Sequence, residues 1–99
     1  MITSIRTLHI APGKLLIAMQ WAVKAVMQNK ENGINVQVSR EVGGDIRKLH
    51  FMMTHESLAE MEATSKKLEA APFYRALMAE AGEQVMFHEM TDRIYESLA

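Results

Sequence analysis

Alternating apolar and polar residues predict a β-hairpin in the middle of the chain, between Gly33 and Met53. A two-residue turn at Gly43 and Gly44 suits the positive φ that such tight turns need, and it fixes which residues face each other. In that register one side of the hairpin is apolar and the other is polar. The apolar pairs are Val38 with Leu49, Val36 with Phe51 and Ile34 with Met53, and the polar pairs are Ser39 with Lys48, Gln37 with His50 and Asn35 with Met52. The pattern therefore predicts a sheet that helices cover on one face only.

Before the hairpin, the pattern predicts a strand and then a helix. The strand runs from Ile2 to Ile10, and the segment Ala11-Pro12-Gly13 ends it. The helix begins at Gly13 or Lys14 and ends near Lys30. Its predicted core stripe is Leu15, Leu16, Met19, Ala22, Val23, Val26 and Met27. Trp21 lies nearly opposite this stripe on the helical wheel, so we expect its indole to point outward, where a tail or partner covers it or it is simply surface.

After the hairpin, we expect a helix that Thr54 caps and that ends near Glu69. Proline suits the first turn of a helix, so Pro72 starts a short second segment that ends at Gly82. Val85 to Met90 is predicted as the last strand, and Thr91 to Ala99 as a tail that is either extended or helical.

The order strand, helix, strand, strand, helix, strand predicts an α+β fold of the ferredoxin-like βαββαβ type. Two right-handed crossovers give a four-stranded antiparallel sheet in the order 4-1-3-2 with both helices on one face. We expect residues 1–99 to form a single domain. The open face of the sheet would carry His9, Gln37, Lys48, His50, Met86, His88 and Met90. This group is too apolar for water and too polar for a dry core, so we expect a homodimer, or a higher oligomer built from it.

Composition excludes several classes of function. A formal net charge of -1 gives no reason to expect a nucleic-acid partner. The absence of cysteine excludes disulfides, thiol catalysis and thiolate metal sites. The apolar stretch from Leu15 to Met27 is interrupted by Gln20 and Lys24, so we expect neither a membrane span nor an export signal, and a cytoplasmic location.

Histidines supply the candidate acid–base chemistry. His50, expected opposite Gln37, and His88 on the fourth strand are candidates for proton transfer in a cavity. The alternative is that both are hydrogen-bonded histidines at an interface between sheets. A metal site of His9, His50 and His88 is not expected, because the strand order separates the backbones of His50 and His88 by roughly 10 Å and sends His9 toward the far end.

Other side chains are candidates for binding a ligand. Arg40 and Arg47 are expected to face each other near the turn, where they would hold a carboxylate or phosphate or, alternatively, pair with Glu41 and Asp45. Tyr74 is expected either to close the core or to orient a ligand through its hydroxyl, and this makes it a third catalytic candidate. Gln37 and Trp21 complete the set of candidate ligand contacts.

Several segments resemble those of a known family. The stretch from Ile5 to Leu15, with its Pro-Gly-Lys-Leu corner, resembles the strand-to-helix opening of NIPSNAP-like proteins, which belong to the dimeric α/β-barrel superfamily. His55 to Leu58, Ala71 to Tyr74 and Asp92 to Ile94 resemble elements of small bacterial members. The resemblance implies a homodimer whose two sheets build a shared barrel, in a family where many members have no assigned activity.

Related barrels include cofactor-independent oxygenases, haem-degrading enzymes and stress-response proteins. The haem-degrading branch uses an Asn, Trp and His constellation that Trp21 does not match, since it lies on the first helix, and we expect no cofactor. Two functions follow from the resemblance. The first is a small protein that binds an apolar or aromatic molecule between sheet and helices, or serves as an assembly unit. The second is a cofactor-independent monooxygenase for a quinol or aromatic substrate, with His50 or His88 as base.

Overall fold

Four strands and three helices alternate along the chain in a computed structural model that describes residues 1–98. The elements are β1 (Ile2–Ile10), α1 (Leu15–Glu31), β2 (Gln37–Arg40), β3 (Lys48–His55), α2 (Leu58–Ala70), α3 (Pro72–Glu83) and β4 (Phe87–Glu96). The strands form one antiparallel sheet in the order β2-β3-β1-β4, and the helices cover one of its faces. The predicted ferredoxin-like fold and strand order are confirmed.

The core lies between the sheet and the helices α1 and α3. It contains Leu8, Ile10 and Leu49 from the sheet, Ala18, Trp21, Ala22 and Ala25 from α1, Leu77 and Ala81 from α3, and Met86 before β4. Strand residues alternate between the two faces of a sheet, so residues beside Leu8 in the register, such as Leu49 and Met90, face the helices with it. None of the helices within residues 1–98 is both long and apolar enough to cross a membrane.

The predicted packing of α1 is wrong, because the helix turns a different face to the sheet. Trp21 is only 5% exposed, whereas Leu16, Val23 and Met27 of the predicted stripe are exposed. The buried neighbours of Trp21 are the small residues Ala18, Ala22 and Ala25, which let α1 approach the sheet closely while the indole fills the space between them. α1 is apolar on both faces, and the indole has the larger surface to bury, which decides the orientation.

The predicted Gly-Gly turn is also wrong. Val38 pairs with Phe51 rather than Leu49, a shift of two residues that leaves each side chain on its predicted face. The connection is a longer loop closed by the Glu41 carboxylate, which accepts hydrogen bonds from the Asp45 backbone N–H at 2.7 Å and from His50. A Cβ at Gly44 would lie 2.3 Å from Glu41 Oε2, so a larger residue there would displace this carboxylate.

The later elements differ from prediction mainly at their ends. Ser57, not Thr54, caps α2 by accepting a hydrogen bond from the Glu60 backbone N–H. Pro72 starts α3 as expected, and β4 continues through Glu96, so the predicted tail is extended as far as that residue. Two assignments to the open face are wrong: Met86 is fully buried, and Met90 faces the helices beside Leu8. Ala99 lies outside the described residues.

Candidate functional site

A cavity of about 230 Å³ lies between the helix-covered face of the sheet and the three helices. Its apolar lining comes from the sheet and from all three helices. It includes Leu8, Trp21, Phe51, Met53, Met61, Leu68, Leu77 and Met78. Ligand sites in proteins are typically concave and mostly apolar, with a few polar groups that orient the ligand. This cavity is therefore the candidate site.

Three polar side chains meet at one part of the cavity lining. Arg6 lies on the central strand β1, directly beside Asp92 of β4 in the register. Its Nε donates to Asp92 Oδ1 at 2.8 Å and its Nη2 to Oδ2 at 3.0 Å, which is the bidentate geometry that an arginine fork and a carboxylate favour. Its Nη1 donates to the hydroxyl of Tyr74 at 3.0 Å. The three side chains form a connected polar group in a mostly apolar lining.

The placement of Tyr74 follows from the start of α3. Pro72 occupies the first turn of the helix, and Ala71 before it has the extended backbone that a following proline imposes. Tyr74 therefore lies in the first turn of α3, and the restricted backbone angles of Ala71 and Pro72 set where that helix begins. Arg6 lies on the strand β1. Arg6 and Tyr74 therefore both belong to regular secondary structure rather than to loops.

Electrostatics of the group favour the charged forms. The hydrogen bond from Arg6, opposed by partial desolvation, holds the pKa of Asp92 below its ordinary value. In turn, the hydrogen bond to Asp92 is the main reason why the pKa of Arg6 is raised, although burial works against it. The ion pair is consequently maintained through the neutral range.

Acid should reduce the stabilisation that this ion pair gives the folded protein, and comparison of wild type with Asp92→Asn measures that loss. Because the pKa of Asp92 is lowered in the folded state, the unfolded state takes up its proton first as pH falls, so the stabilisation is complete above the unfolded value and is lost below it. We expect Asp92→Asn to be less stable at pH 7 by under about 1 kcal/mol, as water screens this half-exposed pair. That difference should shrink between about pH 5 and about pH 2.

Urea unfolding across this pH range measures the effect. Glu62→Gln is the matched control, since Glu62 is an exposed residue of α2 whose carboxylate, within residues 1–98, forms no hydrogen bond or ion pair. A difference between wild type and Asp92→Asn that stays constant with pH would contradict the assignment.

A second polar network lies on the open face of the sheet. His50 is bonded through Nδ1 to Thr7 Oγ1 at 2.8 Å and through Nε2 to Glu41 Oε1 at 2.9 Å. A carboxylate only accepts, so Nε2 carries a proton, and in the neutral ring Thr7 donates to Nδ1. The hydrogen bond from His50 is the main cause that lowers the pKa of Glu41. His50 therefore has two side-chain partners, Thr7 and Glu41, and lies on the sheet face away from the cavity.

Comparisons with known proteins address the fold. No protein-family model matches this sequence, and no curated protein sequence is detectably similar to it. Among solved structures, an uncharacterized NIPSNAP domain protein from Burkholderia xenovorans superposes with a TM-score of 0.84 at 14% identity, covering 100% of this chain and 96% of that one. The chain shares the fold of this NIPSNAP domain protein.

Two further solved structures agree with this assignment. A NIPSNAP family protein from Agrobacterium tumefaciens has a TM-score of 0.79 at 18% identity, covering 96% of this chain and 90% of its own. A protein described as a candidate antibiotic biosynthesis monooxygenase from Deinococcus radiodurans has a TM-score of 0.72 at 15% identity, covering 98% and 92%. The resemblance to NIPSNAP-like proteins is thus confirmed at the level of fold, which is what identities this low can show.

Within this fold, only two of the predicted site residues line the cavity. These are Tyr74 and, contrary to its expected outward position, Trp21. His88 instead borders a neighbouring depression that shares Leu8, Trp21 and Met78 with the cavity. Its ring centroid lies 5.9 Å from that of His9, so His9 is not at the far end as predicted. Among residues 1–98, no three metal-ligating His, Asp or Glu side chains gather.

The remaining candidates lie away from the cavity lining. Gln37 is exposed on β2, opposite Met52 rather than His50. The predicted pairing of Arg40 with Arg47 is wrong: Arg40 faces Leu49 and extends toward Met19 Sδ at 3.9 Å, while Arg47 lies in the loop and accepts a hydrogen bond from the Ile10 backbone N–H. The longer loop places the two arginines at different positions in the register.

Sequence reasoning missed Arg6 and Asp92. Arg6 shares the helix-facing side of β1 with Leu8 and Ile10, so a charged residue occupies a position where the alternation predicts an apolar one. That departure from the pattern was the available signal, because a charge among core positions usually has a partner.

Proposed function

We propose that this protein binds a small apolar or aromatic molecule in the cavity between sheet and helices. The observation that carries the proposal is a concave, mostly apolar space in which three polar side chains, Arg6, Asp92 and Tyr74, form one hydrogen-bonded group. Apolar contacts with a ligand would supply affinity, and the polar group would set its orientation.

The size of the cavity limits the ligand. A cavity of about 150 Å³ in another protein holds one benzene molecule, and the volume here is about 230 Å³. One fused pair of rings, such as tetralin, is therefore a suitable probe. Met53, Met61 and Met78 line the space, and their flexible thioether chains adapt to ligands of different outline.

Tetralin binding tests the proposal directly. Trp21 is the single tryptophan of the chain and lines the cavity, so its emission reports on occupancy. We expect tetralin to change this emission saturably, with a dissociation constant that isothermal titration calorimetry reproduces. If tetralin gives neither saturable heat nor a change in emission, ligand binding is contradicted. The alternative that the protein serves as an assembly unit would then remain.

A second candidate is a cofactor-independent monooxygenase acting on a quinol or aromatic substrate. It is favoured by the shared fold with the Deinococcus radiodurans protein and by Tyr74 and Trp21 in the cavity. A quinol would take up one atom of O₂ and leave as a hydroxyquinone, while the other atom becomes water. His88 is the better-placed base, since it borders the adjacent depression and His50 lies on the opposite sheet face. Oxygen uptake that His88→Ala and Tyr74→Phe abolish supports this activity, and no uptake with a panel of quinols contradicts it.

We also propose that the chain forms a homodimer through the open face of the sheet. In this proposal each chain is a single domain and the dimer is located in the cytoplasm. The support is its composition: Ile5, Met52 and Tyr95 lie among threonines and the histidines His9 and His50. Uncovered, these apolar side chains would remain in contact with water, and a second sheet would remove them from it.

A charge at the centre of this face should separate the copies. Ile5 is flanked by Met52 on β3 and Arg93 on β4, and we expect Ile5→Lys to bury an unpaired charge beside Arg93 in the dimer and to sediment as a folded monomer. Val42→Lys, in the exposed loop, is the control and should leave the wild-type assembly unchanged. A wild-type protein that sediments as a monomer at micromolar concentration would contradict the dimer.

A further inference from the structure

We propose that the cavity selects a neutral ligand that carries a hydrogen-bond acceptor, such as a ketone or quinone carbonyl, and discriminates against carboxylates. The inference rests on the proposed ligand binding and adds the chemical class of the ligand. It follows from how Arg6, Asp92 and Tyr74 divide their hydrogen bonds.

The positive charge of Arg6 is already compensated. Two of its N–H groups point to the two oxygens of Asp92, so the pair presents no net charge to the cavity. Glu69 also borders the cavity and is negative, while Arg93 has its side chain on the open face of the sheet, opposite Ile5 in the register. A carboxylate that enters this space would lose its hydration and find no uncompensated cation in return, which is a net cost.

Tyr74 supplies a free donor. Its hydroxyl oxygen accepts from Arg6 Nη1, and this is the one hydrogen bond that the hydroxyl forms within residues 1–98. The O–H proton is therefore available to an acceptor on a ligand. Donation from a guanidinium polarises the hydroxyl and makes it a stronger donor than an isolated phenol.

The geometry also gives the ligand an orientation. Tyr74 and Arg6 are held by α3 and β1, while the apolar lining includes Met53, Met61 and Leu68. A carbonyl placed at Tyr74 directs the rest of the molecule over this apolar surface. A ligand with an acceptor at one end and an apolar body therefore fits both parts of the site.

Three probes of similar size separate the contributions: tetralin, the ketone α-tetralone, and tetrahydro-2-naphthoate. We expect α-tetralone to bind about three- to tenfold more tightly than tetralin, as one hydrogen bond from a neutral donor adds that much. The carboxylate should bind more weakly than the ketone. Affinities are measured by calorimetry at pH 7.

Two variants assign the effect to residues. Tyr74→Phe should reduce the affinity for α-tetralone to that for tetralin, with the tetralin value unchanged. Asp92→Asn keeps the shape and leaves Arg6 uncompensated, so the carboxylate should bind about tenfold more tightly than it binds wild type. Glu62→Gln removes the same charge outside the cavity lining and should change none of the three affinities.

The outcomes distinguish this inference from the proposed function. If no probe binds wild type, ligand binding itself fails. If tetralin binds but α-tetralone binds no better, or Tyr74→Phe lowers both affinities equally, the cavity binds ligands and the acceptor inference is overturned. It is also overturned if the carboxylate is the tightest ligand of wild type, or if Asp92→Asn leaves the affinity for the carboxylate unchanged.

Discussion

Replacing Trp21 by alanine is expected to lower the free energy of unfolding by about 3–5 kcal/mol. The indole is buried, its ring contacts Phe51 and Phe87 edge to face with centroids 5.9 and 5.2 Å away, and its Nε1 donates to the Leu77 carbonyl at 2.9 Å. Alanine removes all of these contacts and enlarges the neighbouring cavity. Urea unfolding followed by circular dichroism measures the loss.

Two variants of the same helix make the test specific. Trp21→Phe keeps an aromatic ring but loses the hydrogen bond to Leu77, so we expect a smaller loss of about 1–2 kcal/mol. Val23→Ala removes an exposed side chain and should stay within about 0.5 kcal/mol of wild type. If Val23→Ala proves the more damaging of the two alanine variants, α1 presents the opposite face to the sheet.

A larger side chain placed in the cavity from α1 is expected to lower the affinity for a ligand without lowering the free energy of unfolding. Ala25 is buried and lines the cavity, so the side chain of Ala25→Met would extend into the space that the ligand needs. We expect the affinity for tetralin to fall by at least about tenfold, while the free energy of unfolding is unchanged or rises by up to about 1 kcal/mol as the empty volume is filled.

Ala22 provides the matched control. It lies on the same helix and is equally buried, but it is outside the cavity lining. The same change, Ala22→Met, has no empty volume to occupy and should lower the free energy of unfolding by about 1–3 kcal/mol. If Ala25→Met destabilises as much as Ala22→Met and leaves tetralin binding intact, the cavity is not the ligand site.

The hairpin shows which level of the fold is encoded locally. Alternation assigns Val38 and Phe51 to the helix-facing side of the sheet, and this holds although the register moved by two residues, since a shift of two preserves the face. In the observed register the connecting loop is closed by Glu41, whose carboxylate accepts hydrogen bonds from the Asp45 backbone N–H and from His50. That contact is formed between side chains in the folded loop, and local turn preference at Gly43 and Gly44 does not contain it.

The orientation of α1 likewise depends on contacts that its local sequence pattern does not specify. The helix has apolar residues all round, so periodicity offers more than one stripe, and the predicted one left Trp21 outside. Packing decides between them, because only one face brings small residues against the sheet and lets the indole reach the Leu77 carbonyl.

By itself, the sequence determined the order of the elements, the antiparallel sheet and the side of the sheet on which most strand residues lie. These depend on alternation and on proline and glycine positions, which act over a few residues. Only the tertiary structure decided the candidate site. Arg6 meets Asp92 across 86 positions of the sequence and Tyr74 across 68, so no local pattern brings them together. Their encounter is set by the pairing of β1 with β4 and by the packing of α3 on the sheet.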